Sequence, residues 1–497
     1  MDEYSKINGL KNLNNDAILE LPRPVKGFTY NRSDLSPGIL HVGVGNFHRA
    51  HQAWYIHRLF EKGLNFDWGI VGAGVCTFDK LQREKLKKQD FLSTLIELDP
   101  GGRSAEVIGS IIDYVEVEET NQALIKAMVS PEIRIVSLTV TEGGYYTNPA
   151  SKDFNIDHPD IIKDIANPTS PRTVFGVIVE ALRLRRQLGY GPFTGLCCDN
   201  LEQNGVVLHR AVTKLAECVD PDLATWINEK CSFPCSMVDC IVPSTGTHEL
   251  ELVQKYNLND SVPVTHENFR QWVIEDVFCA GRPNLEKVGV IFTKNVHYHE
   301  TMKIRLLNGG HQIIANAGEL LSLVTISSCM KNHRIASLLL KILSEEIAPY
   351  VVSVPDTTPA EYIDLIEKRF SNSFVVDTTR RVAFDGSSRH PGFLVPSIRT
   401  ALEAGSSISG LALAEAIWAR MCEGTREDGS KIEPNDPNWS ELQRTAKISK
   451  EKSAAWLGQR QYYGDLASNK VFSNAFSHWL QEIWHSGVES AIDAYLQ

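Results

Sequence analysis

The sequence predicts an α/β protein: a parallel sheet in the first half, followed by a mainly α-helical second half. Three observations predict it. Short apolar runs at 38–43, 68–75, 134–141 and 193–198 alternate with helical patterns, and such alternation packs as a parallel sheet covered on both faces. The first run leads into Gly43-Val44-Gly45 and then a helical face of Ala53, Ile56 and Phe60 that stops at Gly63. From about His299 the apolar period turns helical, through Ile313, Ile314, Ala317, Leu320, Leu321 and Val324. A chain of 497 residues is too long for one core, and the pattern change divides it into residues 1–290 and 291–497.

Composition narrows the function. With 43% apolar and 22% charged residues the chain reads as an ordinary soluble globular protein. No apolar run approaches the ~18 residues of a membrane span, and the polar start Met1-Asp2-Glu3-Tyr4 has no signal-peptide core. A cytoplasmic protein is expected. The net charge of −11 and the lack of a basic face speak against nucleic acid. Ten cysteines without repeating spacing read as free thiols. Cys231, Cys235 and Cys240 form no C-x-x-C pair, and His248-Glu249 and His266-Glu267 lack the second histidine of H-E-x-x-H. No metal is expected.

Residues 1–35 show little periodicity and read as an arm. After the strand at 38–43, the glycine turn and following helix form a nucleotide-binding start, in which backbone N–H groups hold a pyrophosphate. Gly43 and Gly45 fit G-x-G-x-x-G, but His48 stands where the third glycine belongs. The strand at 68–75 carries a second G-x-G, and its end normally faces the adenosine ribose. The nearest acid there is Asp79, which would favour NAD over NADP by accepting from the ribose 2′-hydroxyl. Helix capping is its alternative role. The strands at 134–141 and 193–198 end in Thr141-Glu142-Gly143-Gly144 and Asp199-Asn200, where a parallel sheet places its ligands. Asn200 is either a turn former or a donor to a substrate oxygen.

Asp239 lies amid apolar residues of an extended, proline-bounded stretch and needs a buried partner or a ligand. Residues 269–276 and 288–292 read as further strands. In the helical half, Lys303, Asn308 and His311 put a cation, a carboxamide and an imidazole into nine residues. The stretch 379–391, with Arg381 and Arg389, reads as a polar loop: solvated, or a lip offering hydrogen bonds to a polar substrate. The last ~45 residues read as helices packed on the core.

Together these motifs resemble the polyol-specific long-chain dehydrogenases. The resemblance runs from about Leu35 to the C-terminal helices. It rests on Gly43-x-Gly45-x-Phe47-x-Arg49-Ala50 (with Asn46 inside the turn), 139–145, Cys198-Asp199-Asn200-Leu201, Ser236-Met237-Val238-Asp239 and Lys303-x₄-Asn308-x₂-His311. It implies a Rossmann-type N-terminal domain and a mainly helical C-terminal domain with the active site between them. It also implies Lys303 as base, Asn200 and Asn308 as oxyanion holders, His311 as substrate-positioning residue, and Asp239, Arg381 and Arg389 along a polyol site. Cys240 stands where the family signature usually has arginine. NAD is the expected cofactor, NADP the alternative, and a monomer is expected. The expected reaction interconverts mannitol and fructose. A hexuronate reductase or an arabitol or sorbitol dehydrogenase is the alternative within the family; a nucleotide-binding sugar sensor and a zinc alcohol dehydrogenase are the alternatives outside it.

Oxidising an alcohol without zinc needs an amine base, and lysine at its ordinary pKa of ~10.4 is too protonated at neutral pH. Desolvation, a cationic nicotinamide and a neighbouring arginine would each lower it. Glu300, three residues before Lys303, is either a proton relay or an ordinary surface acid. On a straight helix of ~100° and ~1.5 Å per residue, Asn308 lies ~140° around from Lys303, and His311 ~80° around and ~12 Å along. A straight helix therefore does not bring the three together, and Gly309-Gly310 suggest a close approach by substrate or another backbone.

Overall fold

In the computed structural model, which describes residues 9–147 and 153–497, the chain divides into two compact units, Met1–His297 and Tyr298–Gln497. The division falls beyond the expected 290 because the strand Ile291–Phe292 still pairs within the first unit.

The first unit contains, in chain order, strands β1 (Pro37–Val42), β2 (Gly69–Ala73), β3 (Ser93–Asp99), β4 (Gly102–Ile108), β5 (Ile111–Tyr114) and β6 (Ile135–Leu138). Then follow β7 (Thr194–Cys197), β8 (Ser236–Asp239), β9 (Val264–Glu267), β10 (Gln271–Ile274) and β11 (Ile291–Phe292). The central sheet is parallel throughout, in the order β5-β2-β1-β6-β7. That is the strand order of a doubly wound nucleotide-binding sheet, whose ligands sit beyond the carboxyl ends. Its strands are buried on both faces, with Leu40, Val136 and Leu138 wholly enclosed, which is why they read as continuous apolar runs.

Helices α1 (Asn46–Ala50) and α2 (Gln52–Glu61) follow β1, and α3 (Thr77–Lys87) follows β2. Helix α4 (Gln122–Val129) precedes β6, and α5 (Val174–Gln187) precedes β7. Helix α5 starts three residues after the expected Pro171, where the Thr173 hydroxyl accepts from the Gly176 N–H. Helix α6 (Asn204–Val219) runs on from β7.

The β3–β4 hairpin, extended by β9 alongside β3, was not anticipated. Its signal was Asp99-Pro100-Gly101-Gly102, a turn that Asp99 closes by accepting from the Gly101 N–H at 2.6 Å. A third sheet pairs β10 antiparallel to β8 and parallel to β11.

Helix α7 (Val296–Met302) starts two residues before the division and continues through a π-helical turn at Lys303–Asn308 into α8 (Gly309–Leu320) of the second unit. Around them pack α9 (His333–Lys341), α10 (Pro359–Phe370), α11 (Thr379–Val382), α12 (Gly386–Phe393) and α13 (Val395–Glu403). Helices α14 (Ser409–Met421), α15 (Lys470–Ser486) and α16 (Val488–Leu496) complete the unit. Every residue of α14 from Gly410 to Met421 is buried, as befits a helix with an apolar surface all round.

The stretch expected to be a polar loop at 379–391 is a correction: it forms α11 and most of α12. The Thr378 hydroxyl accepts from the Arg381 N–H to start α11, and Asp385 adopts the left-handed conformation, φ 58°, between the two. Local polarity hid two short helices whose starts are set by these two residues. Among the described residues no helix is long and apolar enough to cross a membrane.

Candidate active site

The nucleotide turn is built from the end of β1. Gly43 has φ +97°, and a Cβ there would lie 2.2 Å from the Thr139 carbonyl oxygen. The turn is pressed onto the continuation of β6, and the Thr139 hydroxyl donates to the Gly43 carbonyl at 2.7 Å. Beneath it, His41 contacts Thr139 Oγ1 through Nε2 at 2.9 Å and Ser137 Oγ through Nδ1 at 2.8 Å. His48, in the third glycine's place, stacks its ring on His41 at 3.5 Å. A third glycine normally lets helix and strand pack closely; here a pair of flat rings fills the gap. Burial pushes the His41 imidazole down to about 3, and that of His48 well below its ordinary value, so both stay neutral.

Gly45 differs from Gly43. Nothing lies within 3.9 Å of where its Cβ would stand, so the missing side chain leaves an open cradle that a dinucleotide pyrophosphate fits. The neighbouring side chains brace the turn. Asn46 donates to Pro243 O at 2.9 Å and Thr245 Oγ1 at 2.8 Å. The buried Arg49 donates to Gly45 O at 3.2 Å and Asn46 Oδ1 at 2.7 Å, and Phe47 stacks on His51.

Asp79 acts as the helix cap. Its Oδ2 accepts from the Val75 and Cys76 N–H groups at 2.9 and 3.1 Å, closing the second G-x-G onto the first turn of α3.

Beyond β6 the backbone takes an unusual course. Thr141 has φ 67°, ψ 160°, a region almost reserved for glycine that costs a β-branched residue about 1–3 kcal/mol. The Asp199 carboxylate accepts from the N–H groups of Val140 and Thr141, both at 3.0 Å, and from the Tyr145 hydroxyl at 2.7 Å. Asn200 follows directly and is exposed at the carboxyl end of β7. The Glu142 side chain lies outside the described part of the structure. Asp239 ends β8 and is 3% exposed. Asp199 and Tyr145 were not singled out as site residues by sequence reasoning. The one available signal was an acid at a strand end.

In the second unit Lys303 opens the π-helical turn and Asn308 closes it. The Gly309 N–H donates to Ile304 O, the i→i+5 bond of a π-helix. The wider turn brings Asn308 round closer to the side of Lys303 than a straight α-helix does. Lys303 and Glu300 are each only 6% exposed, so Glu300 is not an ordinary surface acid. His311 lies flat against Phe370 at 4.1 Å, which fixes its ring plane. Gly309 and Gly310 meet side chains of their own unit: Cβ atoms there would stand 3.2 Å from Leu394 and Leu339.

Arg381 forms a two-pronged pair with the buried Asp377, both contacts at 2.6 Å. Arg389 donates to Val382 O at 2.7 Å. Its neighbour His390 anchors α12, held between Glu415 at 2.9 Å and Asn316 at 3.0 Å and stacked on Trp418. Among the described residues no group of three or more His, Cys, Asp or Glu side chains is placed to hold a metal ion.

Comparison with known proteins gives the chain a family. Residues 37–287 match the mannitol dehydrogenase Rossmann domain, and residues 295–484 match the mannitol dehydrogenase C-terminal domain. A mannitol 2-dehydrogenase of Cereibacter sphaeroides is 52% identical over 476 residues, covering 96% of this chain and 100% of its own. One from Aspergillus oryzae is 37% identical over 480 residues, covering 95% and 96%. Among solved structures, Pseudomonas fluorescens mannitol 2-dehydrogenase in ternary complex with NAD and D-mannitol matches with a TM-score of 0.92 and 38% identity, covering 98% and 99%. A D-sorbitol dehydrogenase in substrate-free form matches with a TM-score of 0.87 and 34% identity, covering 97% and 100%. With both domain models matched in sequence order, the chain belongs to the mannitol dehydrogenase family.

Proposed function

We propose that this polyol dehydrogenase interconverts D-mannitol and D-fructose with NAD, using Lys303 as general base and no metal. The observation that carries the reading is the π-helical turn that opens at the buried Lys303 and closes at Asn308. It occurs in a chain whose solved relative, at 38% identity, holds NAD and D-mannitol. Bound NAD supplies the hydride acceptor. Gly43 and Gly45 supply the turn that receives its pyrophosphate, and Thr141 and Glu142 belong to the neighbouring cofactor wall.

Lys303 Nζ takes the proton of the reacting hydroxyl, and Glu300, one turn earlier and buried, passes it on to water. Asn308 and Asn200 donate to the oxygen as its charge develops, worth roughly 3–4 kcal/mol per donor. His311, its plane fixed by Phe370, orients the substrate, with Asp239 and Arg389 holding further hydroxyls. A hexuronate would need an unmatched arginine for its carboxylate. Arg381 already faces Asp377, so its charge is matched within the protein.

Lys303→Ala is expected to lose at least three orders of magnitude in turnover at neutral pH while still binding NADH; wild-type turnover would remove the base assignment. Reduction of fructose against fructuronate, with NADH and NADPH side by side, tests substrate and cofactor together. Exhaustive dialysis against a chelator is expected to leave activity intact, and loss restored by zinc would overturn the metal-free reading.

A further inference from the structure

The strained residue beyond β6 is not glycine, although Gly143 and Gly144 follow within three positions. Thr141 is threonine at φ 67°, ψ 160°, and such conformations persist only where the surroundings over-determine them. Here one carboxylate supplies the side-chain restraint, beside the Gly144 N–H that donates to the Thr141 carbonyl at 3.0 Å. Asp199 Oδ1 accepts from the Thr141 N–H, and Oδ2 from the Val140 N–H and the Tyr145 hydroxyl. Tyr145 is wholly buried, its hydroxyl also 2.8 Å from Cys197 Sγ. Asp199 is itself held by its backbone: its carbonyl accepts from Asn204 Nδ2 at 3.1 Å and from the Leu201 N–H at 3.0 Å. The carboxylate therefore ties the carboxyl end of β6 to that of β7, where a parallel sheet receives its ligand. The tied segment begins at Val140, next to Thr139, the residue against which Gly43 packs.

We propose that Asp199 is a positioning residue for cofactor binding: its carboxylate holds Thr141 at its strained positive φ and so fixes the 139–145 turn beside the dinucleotide-binding glycines. The proposal rests on the nucleotide-binding reading of that turn. Three donors need a carboxylate. An asparagine offers one acceptor oxygen and sets its own N–H₂ against a backbone N–H.

The experiment is a double-mutant cycle on NADH affinity, read by fluorescence titration of the full-length protein. Asp199→Asn is expected to raise the Kd for NADH at least tenfold. Glycine adopts φ 67°, ψ 160° without strain, so adding Thr141→Gly to Asp199→Asn should recover at least fivefold of that loss. A wild-type Kd for Asp199→Asn would overturn the proposal, as would an equal effect of Thr141→Gly in both backgrounds, since a merely structural aspartate predicts no coupling. If Asp199→Asn does not fold, Tyr145→Phe takes its place. It removes one of the three donors and should raise the Kd severalfold, again relieved by Thr141→Gly; an unchanged Kd, or no relief, overturns the proposal. Failure of wild-type protein to bind NADH would instead remove the cofactor reading itself.

Discussion

At Gly43 an added Cβ would lie 2.2 Å from a backbone oxygen, whereas at Gly45 the nearest atom is 3.9 Å away. The first glycine is needed by the chain, which has no other way past Thr139 at φ +97°. The second leaves room that the chain itself does not fill. Gly43→Ala is therefore expected to lower the melting temperature sharply or prevent folding, since neither φ nor the carbonyl of Thr139 can yield cheaply. Gly45→Ala should melt within a few degrees of wild type yet lose at least tenfold in NADH affinity. Calorimetry and a fluorescence titration on the two variants check both statements; undiminished affinity in Gly45→Ala would mean that the pyrophosphate lies elsewhere. The glycine turn was legible because strand, G-x-G and helix are contiguous in sequence. The bracing roles of Asn46 and Arg49 were not, because their partners Pro243, Thr245 and Val262 lie about two hundred residues away.

Between Lys303 and Asn308, sequence periodicity places the two residues on different faces of an α-helix, and the π-helical turn narrows that separation. Nothing in Lys303-Ile304-Arg305-Leu306-Leu307-Asn308 spells the wider turn, because a π turn is held by the packing around it and not by propensity. The two short helices at 379–393 were hidden for a similar reason: polar composition reads as loop until the capping geometry is known. Gly309-Gly310 read as a point of close approach, and the approach is by Leu394 and Leu339 side-chain ends at 3.2 Å. A leucine tip can retreat by a few tenths of an ångström, while glycine inside a helix costs about 1 kcal/mol relative to alanine. Gly310→Ala should therefore leave the thermal midpoint unchanged or raise it by a few degrees. A fall of more than ~5 °C would mean that the neighbouring helices cannot give, and that the glycine is a packing requirement of α8 against α9.

At the scale of the whole chain, the two units differ in how they carry histidine. The first unit buries His41, His57 and His266, each with its imidazole pushed down to about 3 by desolvation, and His48, pushed down further still. In the second unit burial lowers His299. A histidine neutral in the fold and titrating near ~6.5 when unfolded makes the unfolded state bind the extra proton at lower pH. Its stabilising contribution is fully present above ~6.5 and is lost as pH falls from there towards the folded value. Each such group contributes a slope of at most about 1.4 kcal/mol per pH unit, and His41, His48, His57 and His266 all lie in the first unit. Between pH 7 and 5.5 ordinary carboxylates scarcely titrate, so the histidines set the trend. Calorimetry across that window is expected to show the transition of the first unit moving to lower temperature faster than that of the second. Limited proteolysis at pH 5.5 should accordingly cut within 9–297 before 298–497. Parallel shifts of the two transitions, or first cleavage in the helical unit, would show that the buried imidazoles of the first unit do not govern its acid stability.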